Sequence, residues 1–154
     1  MEYRILRYSR LICEIILQYI YMEKDFDNWN EKKKKTHSET TQIVFYEREV
    51  WWAYTGVNVG VEIDGKHELF SRPVIIVRKF NKDMALIVPT TAQDKKENKY
   101  YLVVSGDDGK HYTVCLSQIR AISTKRFFRK IGTIDKTNYA ILLEKIADMI
   151  KGTL

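Results

Sequence analysis

Between Arg120 and Lys130 the chain carries five basic residues, Arg120, Lys125, Arg126, Arg129 and Lys130, and no acidic one, with Phe127 and Phe128 set among them. Cationic groups interleaved with aromatic rings suit contact with a phosphate backbone and stacking on bases. A solvated basic edge is the competing account. The net charge of +6 divides unevenly: +1 on residues 1–46 (8 basic minus 7 acidic) and +5 on residues 47–154 (18 minus 13). Such a surplus favours polyanionic partners through counterion release, although it does not by itself identify one. Metal chemistry has no comparable signal. His37, His67 and His111 show no ligand spacing, and Cys13 and Cys115 lie far apart with no second thiol beside either. Neither a metal site nor a disulfide framework is expected, and no cofactor is.

The elements that must position these groups fit one domain. A chain of 154 residues with 45% apolar content closes a single core. Residues 4–20 place Ile5, Tyr8, Ile12, Ile15, Ile16 and Tyr19 on one helical stripe, opposite Arg7, Arg10, Glu14 and Gln18. The apolar run Leu11 to Tyr21 is too short to span a bilayer and lacks a small-residue cleavage site, so a cytoplasmic protein without membrane attachment is expected. Arg4, Arg7 and Arg10 ahead of it leave a signal or membrane-associated role as the alternative, and Met22 offers a second start position. Glu23 to Lys35 reads as a further helix with Phe26 and Trp29 on one face. Its four lysines read as a solvated helix end, or alternatively as an RNA or partner contact, and Thr36 to Thr41 as a linker. Residues 1–46 are thus a helical extension and linker, and 47–154 the domain.

Within that domain the pattern is of short β segments bounded by turns. Val50–Thr55 comes first, then a long loop with Gly56, Gly60 and Gly65. Pro73–Phe80 and Met84–Pro89 form a hairpin whose continuous apolar runs suggest burial on both faces. Residues 92–99 form a charged loop. Tyr100–Val104 and Tyr112–Leu116 form a second hairpin, Ile119–Ile122 and Ile131–Ile134 give short strands, and Asp135 and Gly152 bound a terminal helix. Trp51 and Trp52 alternate faces, which places one in the core and leaves the other for a dimer surface or an RNA-stacking position; packing is the favoured reading for the pair. Five to seven antiparallel strands in so short a stretch imply a small closed or half-closed barrel.

The segments Glu49-Val50-Trp51-Trp52, Gly60-x-Glu62, Arg72-Pro73-Val74-Ile75-Ile76-Val77, Val88-Pro89-Thr90-Thr91-Ala92-Gln93 and Leu116-Ser117-Gln118-Ile119-Arg120 occur in that order, followed by Arg126 and Lys130-Ile131-Gly132. The ordered set resembles the MazF/PemK family of toxin ribonucleases from bacterial toxin–antitoxin pairs, over roughly residues 47–150. The resemblance implies a mainly β protein built as an SH3-like barrel with flanking helices. It implies a homodimer, metal-free cleavage of single-stranded messenger RNA, neutralisation by a cognate antitoxin, and contact with DNA only through the antitoxin complex. The family's catalytic Arg falls on Arg72 and its catalytic Thr on Thr91. Glu62 matches an acidic loop residue implicated in RNA handling, although residues 64–71 lengthen this loop relative to the compact family form.

That chemistry is sound for these side chains. Attack by a 2′-hydroxyl on the adjacent phosphate needs a base, stabilisation of phosphoryl charge and a proton for the leaving oxygen. The planar guanidinium of Arg72 can grip phosphoryl oxygens and stays charged, which makes it a poor base. Thr91 can hold the phosphate or the nucleophile, and the base is Glu62, His67 or water. His67, Gln118, Arg120 and Arg126, with Glu62, complete the expected RNA-contacting set. Each has a plain structural counterpart: a surface ion pair for Arg72, an ordinary strand-end Thr91, a solvated His67, a Gln118 amide that satisfies buried backbone, and a structural His111 in the hairpin. The rival function is a non-catalytic binding barrel, either a partner in a repressor complex or a toxin that poisons a target such as a gyrase.

Overall fold

The computed structural model describes residues 24–93 and 98–153. The helix expected over residues 4–20 lies outside them. Among the described residues, helix α1 (Phe26–Ser38) precedes strands β1 (Glu49–Tyr54), β2 (Ser71–Lys79), β3 (Met84–Thr91), β4 (Tyr101–Ser105), β5 (His111–Cys115), β6 (Arg120–Ser123) and β7 (Phe127–Thr133), and helix α2 (Lys136–Lys151) ends the fold. No helix among them is long and apolar enough to cross a membrane.

The sheet runs β4-β5-β3-β2-β1-β7, and among the described residues its strand pairs are antiparallel. Strand β3 is long enough to serve two partners along one edge. Its first half, Met84 to Ile87, pairs with β6, and its end, Thr90 and Thr91, pairs with β5. The sheet curls without closing along its length; a bridge between Gly106 and Ile134 ties the end of β4 to the end of β7. The half-closed form of the expected barrel is the one adopted.

The continuous apolar runs of β2 and β3 are buried on both faces, as their sequence suggests. Val50, Ile75, Val77 and Val88 join Leu142 and Ile146 of α2 in one core, while Trp51, Ala53, Val74, Ile76 and Ile87 join Phe45 and Phe127 in another. The alternation along β1 and β2 assigns successive residues to the two cores. Helix α2 begins where the Asp135 carboxylate accepts from the Asn138 amide (2.9 Å) and ends at Gly152 in the left-handed region (φ 73°).

Three boundaries differ from the sequence reading. Helix α1 continues through Thr36, His37 and Ser38, which were expected in a linker. Thr36 and Trp29 lie seven residues apart, two helical turns, and both are buried against the barrel. Phe45, ahead of β1, is fully buried and plugs the second core. Strand β7 starts at Phe127 rather than Ile131, because Trp51, Trp52 and Ala53 of β1 pair with Lys130, Arg129 and Phe127. The basic run therefore spans β6, the short turn after it and the first half of β7, the edge strand of the sheet, on which Phe128, Arg129 and Lys130 are exposed.

Candidate functional site

Arg72 is the second residue of β2, and the loop that precedes it folds back over its side chain. Its Nε donates to the Asp64 carbonyl (2.8 Å) and its Nη1 to the Thr90 carbonyl (3.0 Å). Only 7% of the residue is exposed. Burial pushes the guanidinium pKa down, with Cys115 and Asp64 acting against the shift. Thr90 turns its hydroxyl back to the Pro73 carbonyl (3.1 Å), while the Thr91 hydroxyl accepts from the Gln93 amide (3.2 Å). Arg72 and Thr91 lie two residues beyond the Val74–Pro89 pair on their respective strands.

Both side chains line one open cleft of about 370 Å³. His67 and Lys66 enter it from the loop, Trp52 from β1, and His111 and Tyr112 from β5. His111 is exposed, with its Nδ1 3.1 Å from the Ser105 hydroxyl. His67 takes a left-handed backbone (φ 58°), as does Phe70 (φ 48°), so the loop holds two non-glycine residues in sparsely populated conformations. A cation, a hydroxyl and two imidazoles facing one space can bind a phosphodiester and move protons beside it. Among the described residues, no group of three or more His, Cys, Asp or Glu is arranged to hold a metal ion.

The remaining candidates lie elsewhere. Glu62 is exposed and outside the lining of this cleft. Gln118 satisfies backbone, its amide oxygen accepting from Ile63 N (3.1 Å) and so pinning the loop from the far side. Arg120 and Arg126 line a second cleft of about 390 Å³, together with Trp29 and Lys33 of α1. Arg120 donates to the Thr55 carbonyl (2.8 Å) and to Asn58 (3.3 Å), and Arg126 donates to the Tyr54 carbonyl (2.8 Å) beneath the Trp29 ring. Burial lowers the pKa of both; the neighbouring charge of Arg120 lowers that of Arg126 further.

The other cations of the basic run are also engaged. Lys125 donates to the His37 carbonyl, Arg129 lies over Trp52, and Lys130 reaches Glu49 (2.5 Å). Phe127 is in the core, whereas Phe128 stacks on Tyr54 with ring centroids 4.5 Å apart.

Asp64 joins the two clefts. Its carbonyl holds Arg72, and its carboxylate accepts from Asn58 N (2.6 Å) and pairs with Lys24 (2.9 Å) just ahead of α1. Trp29 reinforces the arrangement by packing on Phe70, at 5.8 Å between ring centroids, and on Gly56. Sequence reasoning missed Trp52, Lys66, His111 and Tyr112 as cleft residues. For Trp52 the sequence favours packing over the RNA-stacking or dimer-surface position open to one of the two tryptophans, and for His111 a structural role. The pairing of β3 with β5, which brings the second hairpin to Thr91, carries no local sequence signal.

A family profile described as PemK-like, MazF-like toxin of type II toxin-antitoxin system matches residues 47–150. No curated protein matches the chain. Among solved structures, the fold is similar to an endoribonuclease in complex with its cognate antitoxin from a mycobacterial species, at a TM-score of 0.53 and 11% identity, covering 70% of this chain and 96% of that one. It is also similar to a MazE-MazF crystal structure from Deinococcus radiodurans, at a TM-score of 0.52 and 14% identity, covering 71% and 97%.

Proposed function

The chain belongs to the PemK-like, MazF-like toxin family of type II toxin-antitoxin systems, and from that premise we propose that it is an endoribonuclease that cuts single-stranded RNA without a metal ion. The observation that carries this reading is the open cleft of about 370 Å³ that Arg72 and Thr91 line together.

The reaction uses the RNA as its own nucleophile. The 2′-oxygen forms a bond to phosphorus, the bond from phosphorus to the 5′-oxygen breaks, and the products are a 2′,3′-cyclic phosphate and a free 5′-hydroxyl. Arg72, held by two backbone carbonyls, presents a fixed cation to the phosphoryl oxygens as their charge grows. Thr91 positions the phosphate or the 2′-hydroxyl. The proton of the nucleophile goes to a base, and the leaving oxygen takes one up. Of the side-chain bases considered, His67 lines the cleft and Glu62 does not; an imidazole is suited to both transfers near neutral pH. A cognate antitoxin as neutralising partner is supported by the family and by the antitoxin complexes among similar structures. A homodimer in the cytoplasm completes the reading.

Incubation of the purified protein with a long RNA in EDTA tests it. Fragments with 5′-hydroxyl ends are expected from the wild type, with losses of about a hundredfold or more in Arg72→Ala and Thr91→Ala. Intact RNA under these conditions refutes the enzyme and leaves the binding barrel.

A further inference from the structure

We propose that the cleft between α1 and β6 is a second phosphate pocket, in which Arg120, Arg126 and the buried hydroxyl of Thr55 hold a phosphate of the RNA strand other than the one being cut. The proposal rests on the reading of the chain as RNA-binding, but not on its catalysis.

Two guanidinium groups are set side by side here. Arg126 grips the carbonyl of Tyr54 and Arg120 that of Thr55, so consecutive residues at the end of β1 fix both. Like charges held together are costly unless an anion joins them. Among the described residues neither Arg forms an ion pair with a carboxylate. Glu62 and Asp64 act on Arg120 only electrostatically, and Lys24 already engages Asp64. Lys33 of α1 adds a third cation to the lining.

The second observation concerns unused donors. Thr55 is 2% exposed and lines this cleft, yet its hydroxyl has no hydrogen-bond partner among the described residues; the same holds for Nε of Arg120. Buried polar groups are nearly always satisfied, and a neighbouring hydroxyl and guanidinium are both satisfied by one acceptor bearing several oxygens.

RNA is favoured over an acidic peptide by the neighbouring cleft. Trp29 in the lining is 6% exposed and packs on Phe70 and Gly56, so it shapes the wall of the pocket. The loop over residues 56–70 separates this cleft from the one holding Arg72, with His67 on one side and Asn58 on the other. A strand crossing that loop meets both clefts. Lys33 of α1 thereby acquires a use that a solvated helix end would not give it.

The test observes the arginine Nε–H resonances of the 15N-labelled full chain, with those of Arg120 and Arg126 assigned by Arg120→Lys and Arg126→Lys. Inorganic phosphate and a 2′-O-methyl oligoribonucleotide, which lacks the nucleophile, are titrated separately at constant ionic strength. The Arg120 signal is expected to shift saturably with both, and Thr55→Val, checked by thermal melting, to weaken both by about five- to tenfold. An unmoved signal, or an equal shift with chloride, overturns the pocket. A shift with phosphate alone overturns the RNA assignment, as does a shift with a Glu-rich peptide but not with RNA. Cleavage in EDTA beside an unmoved Arg120 signal defeats this inference and leaves the nuclease standing, whereas a saturable shift without cleavage does the reverse.

Discussion

Replacing Arg72 by Ala removes a charge from the cleft and two hydrogen bonds from the barrel, and the two losses are separable. A bond from a charged donor contributes roughly 1.5–3 kcal/mol, and here there are two, to the carbonyls of Asp64 and Thr90. Set against them is relief from keeping a cation that is only 7% exposed, whose burial already lowers its pKa. With that offset, a net loss of about 2 kcal/mol is expected, lowering the melting temperature by roughly 4–8 °C for a chain of 154 residues. Removing one transition-state donor costs a further ~10²–10³ in cleavage rate. The assay therefore pairs calorimetry with RNA cleavage measured well below both melting temperatures, where each protein is folded. Arg72→Lys serves as the intermediate case, because an ammonium restores charge but cannot span two carbonyls while facing a phosphate. Cleavage within tenfold of wild type by the folded Ala variant refutes the catalytic assignment. An unchanged melting temperature refutes the anchoring.

Gly56→Ala should destabilise the domain by about 2–4 kcal/mol in urea unfolding: Gly56 has φ 85°, and an added Cβ would fall 2.3 Å from the Trp29 ring. Glu49 should make stability depend on acid. Burial would raise its pKa, but bonds from Lys130, Trp51 and the Tyr46 amide outweigh that and hold it below the usual 4.5. A depressed carboxyl stabilises the fold above its unfolded pKa and loses that contribution as pH falls through the folded one. Glu49→Gln should therefore be less stable than wild type at pH 7 by about 1–3 kcal/mol, with the gap in urea midpoints closing below pH 4.5; a gap that persists in acid refutes the ion-pair account.

The central hairpin was legible because β2 and β3 are long apolar runs joined by an Asn-Lys-Asp turn, a pattern fixed by burial on both faces. Its antiparallel register brings Arg72 and Thr91 together, so the heart of the candidate cleft was within reach of sequence. The outer wall was not. Tyr112 and His111 arrive through the pairing of Thr91 with Thr113, a contact between segments that local pattern cannot join. For the same reason Arg120 and Arg126, assigned with His67 to one RNA surface, stand in a different cleft. Their place follows from the carbonyls of Tyr54 and Thr55, which nothing near Arg120 in the chain announces. Trp29 reads as the apolar face of a helix, but that its target is a glycine in a loop depends on tertiary packing.

Strand β1 finds its second neighbour 84 positions away, Glu49 lying beside Thr133 (133 minus 49). During synthesis its outer edge therefore stays open until β7 has left the ribosome, and joining such distant segments is slow compared with forming helices. Premature termination anywhere before β7 strands an apolar ribbon with free amide and carbonyl groups, a template for pairing with other nascent chains. Incomplete copies are thus consigned to aggregation rather than to partial activity.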